Sequence, residues 1–225
     1  MVVLVGATDI ARPNADALCR WPNRTELPGS CIFLPDPLPS IDHETPLSWY
    51  IGSEQCDPLS RFVENVRTIA ALHDFDSVYA IGLGPAGFAA LRMAVLAPEI
   101  NAIAVNPKIE VEGERSGLDH SYIPLHFSGR DLAAAKSAFP TRFSLRESFP
   151  ELRARRLMVV QNMLDEEGMA HHYEPLCDAM GGNRAPSTSI EPFQKILYAD
   201  PELREDRIPE VLFENMMKKI WLEGW

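Results

Sequence analysis

The chain has 225 residues, with 21 Lys plus Arg against 32 Asp plus Glu and a formal net charge of −11. An apolar fraction of 46% and a charged fraction of 24% exclude a disordered chain and suit one domain with a core that needs no staples. The negative balance argues against nucleic acid as a partner, because phosphate contacts need a basic face. No apolar run nears the roughly 20 residues of a membrane span, so no membrane partner is expected either.

Val2-Val3-Leu4-Val5 reads as a buried strand ending at Gly6-Ala7, and Cys31-Ile32-Phe33-Leu34 as a second, closed by Pro35-Asp36-Pro37. Residues 58–73 place Leu59, Phe62, Val63, Val66, Ile69, Ala70 and Leu72 at helical spacing. A third strand over 77–81 runs into Gly82-Leu83-Gly84-Pro85-Ala86-Gly87, and a small-residue-rich helix over 88–97 follows. A fourth strand over 102–105 is stopped by Asn106-Pro107. Residues 108–150 are broken by proline and hold at least one helix, at 131–139. A fifth strand over 157–161 follows the basic cluster Arg153, Arg155, Arg156. Residues 171–180, 190–198 and 208–222 read as helices, and 181–189 as irregular, open to a short edge strand. Alternating strands and helices without hairpins, linker or repeat predict one α/β domain over 1–225. Its sheet is mostly parallel, with helices on both faces.

The glycine turn at 82–87 is the most informative segment. Gly82, Gly84 and Gly87 match the dinucleotide-binding string G-x-G-x-x-G letter for letter. That turn normally follows the first strand, with an acid some 20 residues later. Here two strands precede it, the next strand ends in Asn106-Pro107, and Pro85 removes an N–H from the loop that would hold a pyrophosphate. The alternative is the nucleophile turn G-x-S-x-G, which also joins a strand to a helix.

The rest of the chain adds to the second reading. Val5-Gly6-Ala7, Phe33-Leu34-Pro35-Asp36-Pro37, Leu47-Ser48-Trp49-Tyr50-Ile51-Gly52, the run from Ile81 to Leu91, Ala104-Val105-Asn106-Pro107 and Val159-Val160-Gln161-Asn162 to Asp165 together carry a resemblance. The chain resembles the α/β-hydrolase-fold family, in particular a bacterial branch often associated with glycosyltransferases and surface-polysaccharide gene clusters. The resemblance covers much of residues 2–175 and implies a three-layer α/β sandwich. It implies an oxyanion strand at Gly6-Ala7, a nucleophile at position 84 and a triad acid at Asp165.

The departures are chemical. A serine hydrolase needs a nucleophile, a base, an acid and N–H donors for the oxyanion. Gly84 has no side chain, and Pro85, where one oxyanion donor belongs, has no N–H. No histidine follows His172, although the family's base comes after the last strand. Gly182-Asn183 or Arg184-Ala185-Pro186 are candidates for that lost position. The Gly6-Ala7 donor survives. Asp165 is retained, with helix capping as its plainer role. The expectation is a catalytically altered hydrolase-fold protein, acting as a binding or accessory subunit with a small-molecule ligand in the old pocket. It needs no cofactor.

Two alternatives stay open. One is a non-covalent lyase, cyclase or decarboxylase in which Asp165 and His171 do acid–base work. The other is a dinucleotide enzyme using Gly82 to Gly87. A surface pair is the plainer reading of His171 and His172, whose side chains diverge by about 100° on a helix and suit no single metal ion. Trp49 and Tyr50 are candidates for a pocket wall, with core packing as the default. His120, His126 and Ser128 read as loop residues, and Arg153, Arg155 and Arg156 as a solvated strand entry. Trp221 and Trp225 load the C-terminal helix with apolar surface, which folds back or meets a protein partner or a second copy. Cys19, Cys31, Cys56 and Cys177 form no C-x-x-C pair and read as reduced thiols. With no export signal in the opening residues, the cytoplasm is expected.

Overall fold

The computed structural model describes residues 2–6, 29–37, 48–112, 118–153, 156–181, 184–187, 192–203 and 207–222. Among the described residues six strands form one sheet: β1 (Val2–Gly6), β2 (Cys31–Pro35), β3 (Val78–Leu83), β4 (Ile100–Val105), β5 (Leu157–Asn162) and β6 (Phe193–Tyr198). Their order is β2-β1-β3-β4-β5-β6, and every neighbouring pair is parallel. Parallel strands are covered on both faces, which explains the near-continuous apolar runs of β3, β4 and β5.

Alternate residues serve opposite layers. Ala80, Ala102, Ala104, Leu157 and Val159 face α1 (Pro58–Leu72) and α2 (Pro85–Leu96), where they meet Phe88 and Leu91 among others. Tyr79, Ile81, Ile103, Val105, Met158 and Val160 face the C-terminal helix Glu210–Leu222 through Phe213, Met216, Met217 and Ile220. The result is the expected three-layer α/β arrangement. Asp57 caps α1, accepting from the Leu59 N–H at 3.2 Å, with Pro58 at the first helical position. Asp131 caps the helix Leu132–Ala138 in the same way, accepting from Ala134 N–H at 2.7 Å.

Three expectations need correction. Residues 193–198 are the strand β6, not part of a helix. The spacing of Ile190, Phe193, Ile196 and Leu197 imitates a helix, but the open edge of β5 takes this segment in register, from Leu157 opposite Phe193 to Asn162 opposite Tyr198. Residues 166–180 are one continuous helical run containing a π-helical turn at Met169–Tyr173, so the helix starts earlier than 171. Helix α2 starts at Pro85, directly off the glycine turn. Among the described residues no helix is long and apolar enough to cross a membrane.

Candidate functional site

The turn expected at 82–87 is a sharp corner at the exit of β3, the third strand in sequence and central in the sheet. Gly84 has φ 54° and ψ −123°, a region that side-chain-bearing L residues rarely adopt. Its N–H donates to Val105 O at 2.8 Å, and its carbonyl accepts from Gly87 N–H at 2.9 Å. A Cβ on Gly82 would run into the Ala86 carbonyl oxygen, and one on Gly87 would meet Pro107 Cα at 3.1 Å. The outer glycines are therefore accounted for by close strand–helix approach. Pro85 begins α2, and no side chain caps that helix. Val5 pairs with Gly82, so Gly6 leaves β1 beside the corner. Ala7 lies outside the described residues.

Next to the corner, the exits of β4, β5 and β6 are tied by amides. Asn106 is buried at φ 44°, a left-handed conformation that asparagine tolerates. Its N–H donates to Val160 O at 2.7 Å, its Oδ1 accepts from Asn162 N–H at 2.8 Å, and its Nδ2 donates to Tyr198 Oη at 2.9 Å. Asn162 Nδ2 donates in turn to Asp200 O at 2.7 Å. An open cleft of about 360 Å³ lies over this joint, lined by Asn106, Asn162, Leu164, Asp165, Asp200 and Leu203 among others. Asp165 both lines the cleft and caps the next helical turn, its Oδ1 accepting from Gly168 N–H at 2.9 Å. Sequence reasoning took Asn106 only as a strand stop; an Asn-Pro at a strand exit was the available signal for a left-handed joint.

The described histidines lie apart from this cleft. His171 is exposed on the π-helical turn, and among the described residues it makes no hydrogen bond with Asp165. His172 is buried: its Nδ1 accepts from Ile109 N–H at 3.3 Å, and its Nε2 stands 2.9 Å from Glu112 Oε1. That pairing assigns the proton to Nε2. Lys108 Nζ, also buried, lies 3.6 Å from the same Glu112 oxygen. His120 is exposed, while His126 is half-buried against the Tyr122 ring at 4.3 Å, and desolvation pulls its pKa down. Residues 199–209, which follow the last described strand β6 in sequence, contain no histidine. Residues 182–186 precede β6. Asn183 lies outside the described residues, and Arg184 pairs with Glu174 at 2.6 Å and Asp178 at 2.6 Å.

Trp49 and Tyr50 are both buried and both left-handed, at φ 55° and 57°. Tyr50 Oη donates to Leu34 O at 2.6 Å, and the Trp49 ring stands edge-on to Phe88 at 6.1 Å. Trp49 Nε1 and Gln161 Oε1 are buried without a hydrogen-bond partner among the described residues. The two left-handed residues turn a run of amides toward the buried Asp36 carboxylate, as in an anion nest. Asp36 accepts from Ser48 N–H at 2.7 Å and from Ser48 Oγ. Burial pushes its pKa up to about 6 despite those donors, which act in the opposite direction.

Ser128 sits in an exposed turn and donates to Glu54. Arg153 donates to Ala179 O, Arg156 is exposed, and Arg155 lies outside the described residues. The Trp221 side chain and Trp225 also lie outside them. Cys31, Cys56 and Cys177 are free thiols. Among the described residues no group of three His, Cys, Asp or Glu side chains is placed to hold a metal ion.

A scan against protein-family models finds no match, and neither does a sequence search of curated proteins. Solved structures do match. An S-formylglutathione hydrolase from Agrobacterium tumefaciens superposes with a TM-score of 0.60 at 13% identity, covering 99% of this chain and 81% of that one. MPT51 (FbpC1) of Mycobacterium tuberculosis gives 0.53 at 13% identity over 97% of this chain and 87% of that one. An alpha/beta hydrolase enzyme from the sediment metagenome of the Mar Chica lagoon, Morocco, gives 0.50 at 10% identity over 100% and 92%. At such identities the likeness establishes the α/β-hydrolase fold and nothing finer.

Proposed function

We propose that this chain is an α/β-hydrolase-fold protein whose covalent acyl-transfer chemistry is gone, and that it works as a binding or accessory subunit. The observation that carries the reading is the pair Gly84-Pro85 on a corner of intact geometry. The backbone that would present a nucleophile is kept, but the nucleophile is missing. Loss of one oxyanion donor, as Pro85 entails, costs on the order of 100- to 1000-fold in rate. With no histidine after β6, there is no base in the usual place to activate a hydroxyl.

A fluorophosphonate probe tests this. The wild type is expected to stay unlabelled, and so is Gly84→Ser, because Pro85 and the missing imidazole still block activation. Labelling of the wild type would overturn the reading.

One observation favours a second reading: Asp165 lines an open cleft beside the corner. There it is available for acid–base chemistry on a small-molecule ligand, with His171 the nearest histidine in sequence. Turnover lost in Asp165→Asn with unchanged melting supports that reading. The dinucleotide reading has less support, because strand–helix packing accounts for Gly82 and Gly87; a thermal shift with NAD(P) or FAD would revive it. The resemblance of the strand-end motifs supports a polysaccharide or acyl-modification setting. Free thiols at Cys31, Cys56 and Cys177 suit a reducing compartment such as the cytoplasm. We take residues 1–225 as one domain, because the sheet draws β1 from one end of the chain and is covered by a helix from the other.

A further inference from the structure

At the opposite end of the strands, where β3 and β4 begin, α1 ends over an open groove of about 590 Å³. Val78 and Ile100 open those strands, whereas Gly84 and Asn106 follow their exits, so this groove is separate from the cleft described above. Its floor is apolar: Val66, Val78 and Ile100 are buried, and Ala70 and Phe75 are half-buried. Beyond it, Leu72 is 76% exposed and Ile69 36% exposed on the last turn of α1.

Among the charged residues of the groove, acids prevail. A helix C-terminus carries partial negative charge and is normally complemented by Lys or Arg. The last turn of α1 has no basic residue; His73 is its C-cap, and Asp74 and Asp76 come next. Neither has an ion-pair partner among the described residues. Arg67, which lines the groove, is engaged by Glu99, whose two oxygens receive its Nε and Nη2. Glu64 also faces Arg67. An apolar floor beneath an uncompensated negative rim matches an occupant that brings both apolar side chains and cations.

We propose that this groove docks a basic amphipathic segment of a partner protein. Its apolar side chains rest on Ala70 and Phe75, and its Lys or Arg heads reach Asp74 and Asp76. A second copy of this chain is a poor occupant by the same reasoning, since each copy carries a net charge of −11.

Fluorescence anisotropy with a short labelled peptide of repeated Leu-Leu-Lys-Lys blocks tests the proposal, with the Glu-for-Lys peptide as its counterpart. The Lys peptide is expected to bind and the Glu peptide not to. Asp74→Lys/Asp76→Lys is expected to weaken binding by roughly tenfold or more. Glu147→Lys/Glu151→Lys changes the net charge equally at exposed positions elsewhere, and is expected to shift binding less than about threefold. If the charge-reversed pair fails to fold, Asp74→Asn/Asp76→Asn replaces it, again with a larger effect than the control. Equal losses in test and control variants would reduce the attraction to bulk charge and overturn the proposal, as would binding of the Glu peptide. Self-association in sedimentation that the same reversal abolishes would assign the groove to a second copy and overturn it too. Because the readout is peptide binding at the strand entries, its failure leaves the probe test at Gly84 untouched.

Discussion

Asp36 permits a test of the buried contact between the end of β2 and residues 48–50. Its carboxyl is buried, and its pKa rises from an ordinary 3.8 to about 6, chiefly through desolvation. The gap is worth about 3 kcal/mol at 1.36 kcal/mol per pH unit. The sign follows from proton counts. Between about pH 4 and pH 6 the folded chain holds a proton on Asp36 that the unfolded chain has released, so folding binds protons in that window. This group's contribution therefore becomes less favourable as the pH rises through the window, and the full cost is present above the folded-state pKa. The perturbation is Asp36→Asn, which keeps an acceptor for the Ser48 donors and removes the titration. Urea unfolding of both proteins from about pH 4 to about pH 7.5 gives their difference in free energy, in which the other carboxylates cancel. The wild type is expected to lose about 2–3 kcal/mol relative to the variant across that range. A flat difference, or one that grows with pH, would refute the reasoning, because the amides of Ser48, Trp49 and Tyr50 would then outweigh desolvation.

Gly82→Ala drives a Cβ into the Ala86 carbonyl oxygen, a backbone atom; a loss of about 3 kcal/mol or more is expected, read by thermal melting. Arg92→Ala removes a buried guanidinium that bonds Asp57 and donates to Thr141 O at 2.9 Å. It leaves Asp57 with Arg142, 3.8 Å away, as its remaining described cation and is expected to cost about 3 kcal/mol in urea unfolding. Asn106→Ala removes the bonds to Asn162 N–H and Tyr198 Oη and places alanine at φ 44°, for a loss of about 2–4 kcal/mol. Asn106→Gly relieves the backbone strain while still lacking the amide, so it is expected to fall between alanine and wild type in the same assay.

Much of the scaffold was legible because strands β1 to β5 are apolar runs closed by Gly, Pro, Asn or Asp, and their order in the chain announces a parallel sheet. The last strand was not. Its segment carries buried Gln194 and Lys195, and its apolar residues fall at a helical interval; only the vacant edge of β5 decides between strand and helix. The corner at Gly84 was readable from one glycine string and one proline, since both constrain backbone directly. Asp165 was readable as the acid following a strand. Asn106 and Asp36 were not readable, because each acts on residues far along the chain: Asn162 and Tyr198 in one case, Ser48 in the other. His172 shows the same limit, since its partners Ile109 and Glu112 belong to a stretch without periodicity.

The outer glycines of the corner carry a lesson for pattern matching. Where a helix must leave a central strand this abruptly, backbone oxygen and neighbouring proline allow only hydrogen at two places five residues apart. Any polypeptide making the same bend will spell much the same letters, whatever it binds. Text searches for nucleotide pockets will keep returning such corners, and the place of the feeding strand in chain order, first or later, helps to tell the two apart.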